Sequence, residues 1–412
     1  MKTLIRAAMV LALGWSAAAM AAEPVGQFAD HRDIGHPAHP GSALYDAKTG
    51  TYTLVGGGAN MWAGHDDFHF AWRPMSGPMS RNIAMQVDLD FVSPMPAPSA
   101  GGYLHRKGGI VLRQDLDPDS AYVDAVRMSN QQLSLQYREV KGGPTRLIWI
   151  NTARQQSVRL EKVGDYAYLF VPGPDGKLRR AGGSFRVKIT GSYFLGLGVC
   201  AHDDGTKETM AFSKVTIAPL PAGAARPGGM SLQTIQASNP LEQTVLHHAA
   251  GPIAPAGWSA DGVSIFYRAG GAAYRATAWD SDKVETLPDA ALASAVTSQS
   301  SVYSSALADG RLTLWRARPD GGAMIRIDTG PGSAFDPRLS PDGKWLAYLT
   351  TDAPLARVPA GSDVTLRLMP VEGGVPRPDK AIVMSNFVGG AGSLGASAWS
   401  PDNRLIAFLS HD

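Results

Sequence analysis

Between residues 42 and 217 the chain is written in short runs that alternate polar and apolar side chains, and this period of two restricts the fold more than any other feature. Phe68, Phe70 and Trp72 are interleaved with His69 and Ala71, and Met85, Val87, Leu89 and Phe91 with Gln86, Asp88 and Asp90. Successive side chains of a strand point to opposite faces, so each run predicts a strand with one side in a core and the other on an open face. Similar runs recur at 52–55, 109–113, 121–128, 133–137, 147–150, 158–161, 167–171, 185–189, 194–200 and 212–217, with no helical periodicity between them. Roughly ten to twelve short strands in such a span predict two stacked antiparallel sheets, a jelly roll or a related sandwich. The 46 glycines and 29 prolines supply the turns this requires, and Gly173-Pro174-Asp175-Gly176-Lys177 is a hairpin signal between two runs. The predicted fold class is all-β.

Residues 219–229, PLPAGAARPGG, break the pattern with the composition of an interdomain linker. Beyond them a turn repeats: Trp258-Ser259-Ala260-Asp261-Gly262, Leu339-Ser340-Pro341-Asp342-Gly343 and Trp399-Ser400-Pro401-Asp402-Asn403, each feeding an apolar strand. The turns start roughly 80 and 60 residues apart, against about 40 to 45 for one propeller blade. The first interval therefore hides a further blade, supplied by Ala308-Asp309-Gly310 and the strand after it, and the second carries an insertion around 352–363. The predicted division is a signal peptide at 1–22, a sandwich at 23–218, a linker at 219–230 and repeats at 231–412. The repeats make about three blades plus one strand, an incomplete propeller.

Lys2 and Arg6 precede a short apolar stretch, and Ala19-Met20-Ala21 offers the small residues that a signal peptidase reads. The stretch is shorter than the roughly 20 residues that span a bilayer. Export with cleavage near Ala21 or Ala22 is expected, leaving a mature chain soluble in the periplasm or outside the cell with no membrane span. The net charge of +2, from 38 basic and 36 acidic residues, gives no field for nucleic acid. Cys200, the only cysteine, precludes an intramolecular disulfide and sits in an apolar run that predicts a buried strand.

The repeats WSADGVSIFY, LSPDGKWLAYL and WSPDNRLIAFL resemble the turns of TolB-type periplasmic propellers, over 251–412. That resemblance implies a protein-interaction platform of the cell envelope. A full TolB propeller has six blades behind an α/β domain, whereas this chain has fewer blades behind a predicted sandwich. The segments YTLVGGGANMWAGHDDFHFAW, GGIVLRQDLDPDSAYVDAV, LQYRE and YFLGLGVCAHDDGTKETMAFSKVTI resemble the concanavalin-like jelly rolls of exported bacterial proteins, similar in outline to laminin-G and legume-lectin modules. Such folds often bind sugars, and some members hydrolyse them.

The candidate ligand residues concentrate at 52–72. Asn60, Trp62, Asp66, Asp67 and His69 follow the glycines at 56–58, where backbone can approach a ligand closely. A tryptophan face suits a sugar ring, and Asn and Asp supply directional hydrogen bonds. Arg113, Asp124 and Arg138 on neighbouring strands, with Arg127 and Tyr137, are candidates to line a concave face, the alternative being pairing of Asp124 with an arginine inside the sheet. His65 and His69 have metal-like spacing on a helix, but on a strand they lie about 13 Å apart, and no metal site is assigned, although His31, His36 and His39 could join them in space. The loops at 115–119 and 203–204 are the plausible calcium sources. Asp88 and Asp90 share a strand face and permit glycosidase chemistry without specifying it. Gly390 to Gly395 matches GxGxxG but precedes a strand, which removes the dinucleotide reading.

The expected function is that of an exported, non-enzymatic binding protein. Its sandwich recognises a glycan or another polar envelope ligand, and its propeller docks an envelope protein. One alternative is a carbohydrate-active hydrolase using carboxylates on the sandwich face; another is a pair of purely structural interaction modules. No catalytic residue and no cofactor is assigned.

Overall fold

The computed structural model describes residues 23–92, 105–150, 155–183, 185–221, 223, 224, 226, 228–279, 284–297, 302–318 and 320–411. The predicted signal sequence at 1–22 lies outside them. The chain is all-β, a jelly-roll sandwich followed by propeller-type sheets.

The front sheet of the sandwich runs, edge to edge, through Asp30–Ile34, Phe68–Met75, Tyr193–Cys200, Lys107–Arg113, Tyr122–Met128, Leu133–Arg138 and Thr145–Ile150. The back sheet centres on Ser157–Val163, Asn82–Phe91, Glu208–Pro219 and Thr51–Gly56. Alternation explains why they stack. Met85, Val87 and Leu89 of the back sheet meet Ile110, Leu112, Val123, Ala125, Leu135, Leu195 and Leu197 of the front sheet in one buried core. The hairpin predicted at 173–177 forms, with Gly173 N–H donating to Lys177 O at 2.8 Å.

The front sheet does not end with the sandwich. Thr145–Ile150 pairs in parallel with Asn239–Ala249, Leu147 lying opposite Glu242 and Ile150 opposite Val245. Met230–Gln236 and Leu405–His411 follow, completing ten strands. The last strand, expected from sequence to open a further unit, pairs along its whole length with Met230–Gln236. Three further sheets, of four, three and five strands, fill 253–389.

The repeated turns owe their sequence to one hydrogen-bond pattern. Ser259, Ser340 and Ser400 each donate their hydroxyl to the aspartate two residues on at 2.6 Å, and each accepts from a strand amide five residues on. The tip residues Gly262, Gly343 and Asn403 have φ of +72°, +74° and +64°, which favours glycine or asparagine there. Trp258 and Trp399 then tie one sheet to the next, donating their indole N–H to Ser397 O and Arg338 O. The unit around Ala308-Asp309-Gly310 lacks this serine and is a plain two-residue hairpin between Tyr303–Ala308 and Arg311–Arg316.

Candidate ligand-binding groove

A two-stranded ribbon, Met61–Trp62 with His65–Asp66, folds over the open face of the front sheet. It divides that face into a sealed part and an open part.

Asp66 plugs the sealed part. Its carboxylate accepts from Arg113 Nη1 at 2.7 Å and, bidentately, from Arg138 Nη1 and Nη2 at 2.9 and 2.8 Å. All three side chains have 0% exposure. Tyr122 lies between the guanidiniums, its ring 5.6 Å from that of Arg113 and 5.0 Å from that of Arg138. Further guanidinium hydrogens go to backbone carbonyls, among them those of Ala63, Asp117, Ser120 and Gly143, and to the Thr145 hydroxyl. The sequence nominates Asp66, Arg113 and Arg138 as ligand contacts. The structure brings them together but offers none of them to a ligand, because all three are fully buried and Asp66 pairs with both arginines.

Asp124 has a different setting. Its pairing with an arginine does not form; Asp66 takes both arginines instead. Asp124 is fully buried, one oxygen accepts from the Gln136 amide at 3.1 Å, and Oδ2 has no partner among the described residues. Burial holds its carboxyl well above the usual carboxylate range, against the pull of nearby Lys107. Arg127 and Tyr137 belong to the other face: Arg127 reaches Leu89 O and Asp90, and Tyr137 stacks on Phe185 in the core.

His69 is also turned inward, with 2% exposure. Its Nδ1–H donates to Asp33 at 2.7 Å, and its Nε2 lies 3.1 Å from His31 Nδ1. Asp67 accepts from the His36 amide at 2.9 Å and lies 3.4 Å from His65. Among the described residues no group of three or more His, Cys, Asp or Glu is arranged to hold a metal ion. The acidic loop at 115–119 surrounds the ammonium of Lys141, which pairs with Asp115, Asp117 and Asp119.

The open part is a groove of roughly 170 Å³. Half-buried Trp62 and Trp149 contribute to its lining, with Met128 and Leu147 as further apolar surface. Its polar lining comes from Asn60, Lys107, His105, His202 and Glu242. The Lys107 ammonium has donors for three acceptors and meets three: Asn60 Oδ1 at 2.9 Å, Gln136 Oε1 at 3.3 Å and Met61 O at 3.4 Å. Burial lowers its pKa, opposed by Cys200, Asp124 and Asp66. Burial and then Lys107 lower that of His105. Burial pushes the Cys200 thiol up to about 11, which fits its predicted place in a core strand.

No family model matches the chain. An uncharacterized protein of Agrobacterium fabrum, Atu1656, is 27% identical over 110 residues, covering 27% of this chain and 36% of that one. This chain thus spans about a third of that relative's length. A functionally unknown protein from Saccharomyces cerevisiae shares 15% identity over 43% of this chain and 92% of its own, with a TM-score of 0.33. A putative TolB from Agrobacterium tumefaciens shares 14% over 74% of this chain and 99% of its own, with a TM-score of 0.24. A family 7 alginate lyase, A1-II′, shares 14% over 43% of this chain and 83% of its own, with a TM-score of 0.29. Superpositions this loose assign no ligand and no residue role.

Of the eight sequence candidates only Asn60 and Trp62 line the groove. Trp149 was legible in principle: Ile148 and Ile150 take the core phase of their strand, which leaves an indole on the open phase. Lys107 shares the phase of Val111 and Arg113 and could have been found in the same way. Glu242 arrives from beyond the linker, and no local signal points to it.

Proposed function

We propose that this chain is an exported, non-enzymatic binding protein whose sandwich takes a glycan in the groove lined by Trp62 and Trp149, while the propeller-type sheets dock an envelope protein. The pair of half-buried indoles carries the reading. Each offers a flat apolar face for the C–H face of a sugar ring, and Asn60, His202 and Glu242 supply polar atoms beside them. The carboxylates considered for hydrolysis lie elsewhere. Asp88 and Asp90 are on the back-sheet strand Asn82–Phe91, where Asp88 pairs with Lys214 at 2.7 Å and Asp90 with Arg127 at 3.3 Å. Glu242 is the one carboxylate among the described residues lining the groove, and a glycosidase needs two flanking the scissile bond.

A glycan array probed with the mature protein tests the proposal. Binding to one saccharide class that is lost in Trp62→Ala supports it. Absence of any glycan signal refutes it. New reducing ends from a polysaccharide would replace binding with turnover.

A further inference from the structure

We infer that Glu242, carried into the groove by the strand beyond the linker, is the ligand's polar anchor, and that the groove selects an uncharged saccharide presenting vicinal hydroxyls. This rests on the glycan reading above and adds both a residue and a ligand class.

The argument starts from which polar atoms in the groove remain available. Lys107 is the strongest charge there, but its three hydrogens already meet Asn60, Gln136 and the Met61 carbonyl. An ammonium so engaged cannot turn to a ligand carboxylate without leaving buried acceptors unpaired, which is costly. His105 is held below its ordinary pKa by burial and by Lys107, against the pull of Glu242. Glu242 differs from both. Among the described residues the hydrogen bond that reaches its carboxylate is a long one, from Trp149 Nε1 to Oε2 at 3.4 Å. An ionised carboxylate has about four acceptor positions, so one such bond leaves it capacity for a ligand in the groove, although the residue also borders a smaller cavity with Trp149 and Trp279.

Geometry sets that carboxylate beside the indole. Leu147 and Glu242 are opposite each other in the parallel pairing of Thr145–Ile150 with Asn239–Ala249, and Trp149 is two residues along on the same strand face. A sugar stacked on Trp149 therefore turns its rim hydroxyls toward Glu242, where two neighbouring O–H groups can donate to the two oxygens. A uronate placed there would set a second negative charge beside the first in a partly desolvated site, which is repulsive. The selected ligand is accordingly neutral.

The anchor's origin has a structural consequence. The groove lies on the sandwich part of the ten-stranded sheet, yet its acceptor comes from the part of the same sheet beyond the linker, beside Met230–Gln236 and the final strand Leu405–His411. The two regions form one binding unit.

The test uses the intact mature protein on an array of neutral and uronic-acid oligosaccharides, with the variants Glu242→Gln and Trp62→Ala checked for native circular dichroism. Gln keeps the acceptor for Trp149 and removes the charge. The expected result is binding confined to neutral glycans, reduced at least tenfold in both variants. Neutral binding that is lost in Trp62→Ala but unchanged in Glu242→Gln would keep the groove and overturn the anchor. Preferential uronate binding, undiminished or strengthened in Glu242→Gln, would overturn the ligand class. No binding to any glycan would remove the glycan reading and this inference together.

Discussion

The sealed and open parts of the front sheet's outer face use the same materials and reach opposite ends. Both combine aromatic rings with a basic side chain and a carboxylate. In the sealed part Asp66 enters from the ribbon and neutralises Arg113 and Arg138 within 2.9 Å, with no exposure left. In the open part Glu242 approaches from the side, touches one indole at 3.4 Å and leaves Trp62 and Trp149 half-buried. What separates a structural plug from an open groove is whether the protein itself supplies the counter-group.

The sharpest way to break this comparison is to remove the plug. Asp66→Ala leaves two buried guanidiniums sharing no counter-charge, and breaking a buried ion pair from one side costs about 3–5 kcal/mol. Urea unfolding followed by tryptophan fluorescence should show a loss of that order. A loss under about 1 kcal/mol, the range of exposed pairs, would mean that the sealed part is wet and the distinction false.

The open part should behave in reverse. Trp62→Ala is expected to weaken glycan binding about tenfold, roughly 1.4 kcal/mol, while moving the unfolding midpoint far less than Asp66→Ala. Isothermal titration against the strongest glycan from the array checks the first half and thermal melting the second. A variant that melts early but binds as well as the parent would reassign Trp62 to packing.

The contrast also explains what the sequence could and could not show. The sandwich was legible because alternation leaves one stable solution: Met85, Val87 and Leu89 must face Ile110, Leu112 and Leu197. The Ser-x-Asp-Gly turns were legible because one hydrogen-bond pattern repeats in them. The ribbon was not. Asp66 and Trp62 are four residues apart and equally suited to a ligand on paper, and only the fold shows that one meets two arginines and the other meets the groove. Arg138 lies 72 residues from its partner Asp66, and Glu242 lies 93 from Trp149, so neither pairing leaves a local trace.

A smaller effect concerns the hydrogen-bonded line Asp33–His69–His31 at the edge of the same sheet. Burial and then His69 hold His31 below its ordinary pKa. For Asp33 burial pushes upward, but the bonds from His69 and the Gly41 amide prevail and the net direction is down. Both signs agree. As pH falls below about 6.5, the unfolded chain takes up a proton at His31 before the native one does, and stability drops; Asp33 repeats this below about 3.9. Melting temperature should therefore decline from pH 7 toward pH 5, and His31→Gln should flatten part of that slope. His105 and His247, also lowered by burial, keep the rest. An unchanged slope in His31→Gln would show that the line carries no linkage.

The smallest effect belongs to Lys141, and its smallness sharpens the opening contrast. Its ammonium pairs with Asp115 at 3.2 Å, with Asp119 at 3.5 Å and with Asp117, three carboxylates against the single one that Arg113 and Arg138 share. Counting bridges would make it the stronger feature. Yet Lys141 is 46% exposed and its partners 38% to 65%, so water and salt already solvate every charge in the group. Screening at 0.15 M ionic strength acts over about 8 Å, and holding a long side chain in one place costs rotamer entropy. Lys141→Gln is accordingly expected to leave the melting temperature unchanged at physiological salt and to lower it measurably only in dilute buffer. A large loss at 0.15 M salt would mean that the number of partners, and not their burial, decides what an ion pair is worth in this protein, and the division between plug and groove would have to be drawn on other grounds.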